Sequence, residues 1–120
     1  MTKLPNWDYF SERLEDRKLL TRAVPIVCDG MVLDLGVPLG GTRLGGHVLL
    51  PTLRFCREAV RQLKHLKGFP HLRIIKVDGG YPHRVEWGEP EPDTEDEAVI
   101  GRHYGYSEVA IAKFVTEHAW

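Results

Sequence analysis

The sequence predicts an α+β fold: an antiparallel sheet of about five strands packed by a basic amphipathic helix, with an N-terminal helix and a C-terminal helical hairpin. Three observations lead there. Val/Ile/Leu-rich runs alternate with Asp-Gly and Gly-Gly pairs, the pattern of short strands joined by tight turns. Residues 52–67 carry apolar side chains at helical intervals, and residues 97–116 read as two helices hinged on a glycine. With 120 residues, 42% apolar and 28% charged, the chain suits one domain with a modest core. That domain, 1–120, divides into an α+β core (6–88), an acidic connector (89–96) and the hairpin (97–118).

The elements follow in order. Over residues 6–20, Trp7, Phe10, Leu14 and Leu19 form an apolar stripe, with Asn6 or Ser11 as the helix cap and Trp7 as a core anchor. From Thr21 the period changes. AVPIVC and MVLDLGV are strand-like runs separated by Asp29-Gly30, a strong two-residue hairpin signal. Pro25 and Pro38 remove ladder donors and mark an edge strand or strand ends. GGTRLGG reads as a mobile tip carrying an exposed Arg43, since it lacks the Lys-Ser/Thr ending of a phosphate loop. HVLLP is a third strand.

Thr52 caps the clearest helix, where Leu53, Cys56, Val60 and Leu63 recur at intervals of three, four and three. Gly68 and Pro70 end it. HLRIIKVD and HRVEWG form a second hairpin around DGGYP, and EPEPDTED leads into the C-terminal helices, with Asp93, Thr94 or Asp96 as cap.

Charge is distributed unevenly along the chain. Residues 43–84 hold nine Lys/Arg against Glu58 and Asp78, and residues 85–97 hold seven acids and no base. Within the middle helix, Arg54, Arg57, Arg61 and Lys64 repeat at the intervals of the apolar stripe. Solvated faces usually mix signs, so a one-sign row suits an anionic partner.

In EAVIGRHYGYSEVAIAKFVT, Gly101 fills a small-residue slot, Gly105 a turn slot and Ile111 a β-branched slot, with Ser107 as the cap of the second helix. This stretch resembles the helix-turn-helix of DNA-binding regulators. The resemblance implies that the second helix enters the major groove, with Ser107 and Lys113, and Arg102 and His103 on the preceding helix, reading or buttressing. Its early exposed positions hold no Arg, Asn or Gln to pair with purine edges. The order helix, three strands, helix resembles double-stranded RNA-binding domains. Strands two and three with the basic helix are similar to the three-strand-plus-helix DNA-binding module of plant regulators and phage integrases. VPLGGTRLGG, VEWGEP and EDEAVIGRHYGYSEVAI resemble a small actinobacterial family of unknown function, which implies no activity.

Catalytic motifs are not recognisable: there is no HExxH, no zinc-type Cys/His spacing and no G-x-S-x-G elbow. His71, His83 and Asp78 are the weakest of metal candidates, so no cofactor or metal is expected. Cys28 and Cys56 read as small buried hydrophobes in a reducing compartment, with a disulfide between them as the alternative. No apolar run reaches membrane-span length and the N-terminus has no long apolar core, so a cytoplasmic protein is expected.

The expected function is a nucleic-acid-binding accessory or regulatory protein. Arg43, Arg54, Arg57, Arg61 and Lys64 would hold phosphates, and Arg102, Ser107 and Lys113 would lie at the reading helix. The alternative is a protein-interaction module that is homodimeric, meets an acidic or basic partner, or mimics nucleic acid through its acidic strip. Its anchors would be Tyr81, Tyr104, Tyr106 and Trp120.

Overall fold

The structure, a computed structural model, describes residues 4–117. The expected anchor Trp120 and the final hairpin residue His118 lie outside them. The α+β class is borne out. Helix α1 (Trp7–Arg13) leads through a 3-10 turn (Arg17–Arg22) into strands β1 (Val24–Cys28), β2 (Met31–Gly36) and β3 (Gly45–Leu50). Helix α2 (Leu53–Leu63), β4 (Arg73–Ile75), β5 (His83–Gly88), α3 (Glu97–His103) and α4 (Glu108–Glu117) follow.

The strands do not form one ladder. β1 and β2 make a two-stranded hairpin through Asp29-Gly30, both at positive φ (52° and 77°), and β3, β5 and β4 make a separate three-stranded antiparallel sheet. β3 therefore pairs with β5, far along the chain, with Val48 opposite Val85 and His47 opposite Glu86.

The expected helix over 6–20 is broken in two. Leu14 turns extended (ψ 134°) and bridges Tyr106, while Glu15 N–H donates to Gly105 O and Ser107 N–H donates to Arg13 O. Backbone pairing with the α3–α4 turn outcompetes local helix propensity here. Asn6 occupies the cap position of α1, but its amide donates to Asp34 instead (2.7 Å).

Side-chain alternation gives the three-stranded sheet two unlike faces. One presents Val48, Leu50, Val85 and the fully buried Trp87 to Cys56, Ala59 and Leu63 of α2, with Ile26 and Phe69 completing this core. The other presents His47, Arg84 and Glu86. A second core of Phe10, Leu14, Leu19, Leu20, Leu35 and Val37 lies under α1 and the 3-10 turn. α2 behaves as its sequence requires: Thr52 Oγ1 accepts from Phe55 N–H, and the apolar stripe is buried. Its Gln62 also acts like a piece of strand. The amide accepts from Val27 N–H (2.9 Å) and donates to Val27 C=O (2.8 Å), at the bulge in β1. Both cysteines are buried free thiols, and burial raises their pKa values.

Candidate functional site

The basic row of α2 lies where the spacing puts it, on the water side of the helix. Arg54, Arg57, Arg61 and Lys64 are all exposed. Two of them already have carboxylate neighbours: Arg54 meets Asp29 (2.8 Å), and Arg61 pairs with Glu58 one turn earlier. Arg57 and Lys64 have no ion pair among the described residues. Solvent-exposed pairs of this kind hold their partners weakly.

The C-terminal stretch forms two helices joined at Gly105, whose φ is +78°. Gly101 is required where the helices cross, because a Cβ there would sit 2.9 Å from Ile111 Cγ1. Ser107 Oγ accepts from Ala110 N–H and caps α4. A helical hairpin on these residues is what the structure shows. Lys113 is exposed on α4, and Arg102 is tied to Glu108 by a two-oxygen contact (3.0 and 3.2 Å).

Tyr104, at the end of α3, touches His47 and Arg84. Tyr104 therefore reaches the sheet face opposite the one covered by α2.

Arg43 corrects another expectation. It does not project from a mobile tip; it is 3% exposed. Its Nη1 donates to Tyr104 C=O (2.9 Å) and its Nε to Val37 C=O (3.4 Å), and its guanidinium faces the rings of Phe10 (5.5 Å) and Tyr104 (5.9 Å). The surrounding glycines make this burial possible. A Cβ on Gly105 would lie 2.6 Å from Arg43 Cβ, and one on Gly46 2.7 Å from Arg43 Nη2. Burial lowers the Arg43 pKa to about 10, so it remains a cation at neutral pH. No carboxylate pairs with it among the described residues.

Arg43 lines a cavity of about 190 Å³ beneath α1, together with Asn6, Tyr9, Phe10, Asp34, His47, Tyr104 and Tyr106. A second cavity of about 160 Å³, reaching Ile100 and Phe114, shares Tyr9, His47, Tyr104 and Tyr106 with the first.

The Tyr104 hydroxyl is the polar node behind these cavities. It donates to Glu91 Oε1 (2.6 Å), receives Arg84 Nη2 (2.8 Å) and lies 3.1 Å from His47 Nδ1. Arg84 also lies beside Glu86, which pairs with Arg73 on the next strand. Arg84 Nε is 3.2 Å from Glu86 Oε2 but not aligned as a hydrogen bond.

The pKa shifts follow from this packing. Burial, aided by the Arg84 charge, lowers His47 to about 4, so it is neutral at pH 7. Burial and the Glu91 contact push the Tyr104 hydroxyl up. Burial alone would raise Glu91, but the hydrogen bond from Tyr104 and the Arg84 charge hold it below its ordinary value. Burial raises Asp34. Burial lowers the pKa of His103, whose Nε2 makes no aligned hydrogen bond among the described residues.

Tyr81, Tyr104 and Tyr106 are among the anchors expected for a protein partner. Tyr104 is buried and Tyr106 half-buried, while Tyr81 is exposed. The signal that could have located this site was the density of glycines around Arg43 and before Tyr106, since a buried long side chain needs neighbours without side chains. Among the described residues no three His, Cys, Asp or Glu side chains converge as a metal site would require. His83 Nδ1 instead accepts from Val77 N–H. No described helix is long and apolar enough to cross a membrane.

No curated protein and no solved structure matches the chain. A family model does match, over residues 3–120. The chain belongs to DUF6302, a family of unknown function.

Proposed function

We propose that the chain is a small cytoplasmic nucleic-acid-binding accessory protein that grips the phosphate backbone through α2. The supporting observation is the exposed one-sign row of Arg54, Arg57, Arg61 and Lys64, held outward by an apolar stripe fixed in the core. The row spans about 15 Å of helix, enough to follow several phosphates. Exchanging Asp29 and Glu58 for phosphate at Arg54 and Arg61 costs little, because those pairs are open to water. With Arg43 buried, the α2 row carries the contacts, and the proposed binding is backbone-directed and independent of base sequence.

Titration of generic duplex DNA and RNA at low salt tests the proposal. Binding is expected in the tens of micromolar, with log K falling against log salt at a slope of about −3 to −4 for four neutralised phosphates. Arg57→Glu with Arg61→Glu should abolish it. If neither nucleic acid binds, the proposal fails.

The outward face of α4 favours a second assignment, a protein-interaction module. Val109 is 81% exposed, and Val115 is also exposed. Light scattering separates the two: a dimer that Val109→Glu dissociates, in a chain that ignores nucleic acid, would establish the second.

A further inference from the structure

We propose that the cavity beneath α1 binds a small aromatic carboxylate, its charged end on Arg43 and its ring among Tyr9, Tyr104 and Tyr106. A guanidinium taken out of water is costly unless an anion or a full set of acceptors replaces its hydration. Arg43 is buried, has no carboxylate partner among the described residues, and uses only Nε and Nη1, both on backbone carbonyls. Those two bonds fix the plane of the guanidinium. Nη2 makes no hydrogen bond among the described residues and lies over Gly46. Phe10 and Tyr104 offer ring faces to the cation but cannot neutralise it.

The cavity supplies the rest of the recognition. Its volume of about 190 Å³ is many times that of one ordered water, and a second cavity of about 160 Å³ shares four of its lining residues. Its walls are largely aromatic, with Asn6, Asp34, Arg43 and His47 as the polar groups among them, a mixture common in small-molecule sites. The charge count selects a monoanion over a phosphate dianion. Arg43 is the one cation in the lining of the first cavity, His47 is neutral, and the Asp34 carboxylate lines the same space, where it accepts from Asn6 and from Leu35 N–H. A second negative charge would face Asp34 without a partner. This site is separate from the α2 row and stands or falls without it.

Benzoate, benzamide and inorganic phosphate, titrated into the intact protein and followed by amide chemical shifts, test the proposal. Benzoate should saturate at low-millimolar concentration, with shifts centred on His47, Tyr104 and Tyr106, and bind at least about tenfold more tightly than benzamide or phosphate. Tyr9→Ala, at a half-exposed wall position, should weaken benzoate about tenfold in a folded protein, and Arg43→Gln should remove it. Because Arg43→Gln can also unfold the loop, the wild-type comparison of benzoate with benzamide decides the matter on its own. Silence towards benzoate, an equal response to benzamide, phosphate bound as tightly as benzoate, or shifts confined to α2 each overturn the proposal.

Discussion

The two faces of the three-stranded sheet use charge in opposite ways. Under α2 the sheet is apolar apart from the buried His83, and the helix keeps its cations in water, paired loosely with Asp29 and Glu58. On the other face Arg84, Glu86, Arg73, Glu91, His47 and Tyr104 form a partly buried network in which each charge has a fixed address. The same residue types thus serve as a replaceable coat on one side and as internal structure on the other. Solvent access decides between the two roles, because water screens and substitutes for the outer pairs but not for the inner ones.

Breaking the inner network should have the largest effect. Glu86→Gln leaves Arg73 and Arg84 facing a neutral amide and should lower unfolding free energy by roughly 3–5 kcal/mol, measured by urea denaturation. Next comes pH. The folded His47 titrates near 4 against an ordinary 6.5, so the unfolded chain binds the extra proton between those values. Stability from this residue is complete above pH 6.5 and falls as pH drops towards 4, by about 3 kcal/mol in total. The difference between wild type and His47→Asn across that range should show this slope; equal curves would place His47 in contact with water.

Gly105→Ala forces a side chain into positive φ and against Arg43, and should cost about 2 kcal/mol. The smallest effect belongs to the outer face: Arg57→Glu with Arg61→Glu should change stability by no more than about 0.5 kcal/mol. A large loss there would erase the contrast between the faces.

What the sequence made legible was local. The Asp29-Gly30 turn, the Thr52 cap with its apolar stripe, and the Gly101, Gly105 and Ser107 positions each depend on residues within a turn or two, and each is found in place. What escaped depends on partners distant in sequence. α1 stops at Arg13 because the backbone beyond it pairs with residues 105–107. β3 leaves its sequence neighbour β2 to pair with β5. Arg43 looked like a tip residue because its loop is glycine-rich. Those glycines, with Gly105 some sixty residues away, instead make room for its burial.

Gln62 has a consequence for aggregation. Val27 lies on the side of β1 facing away from β2, where a free N–H and C=O would template strand addition by another molecule. The Gln62 amide occupies both groups at once, so α2 seals a sheet edge as well as covering the core. A chain in which α2 frays would expose that edge together with its neighbouring hydrophobic side chains.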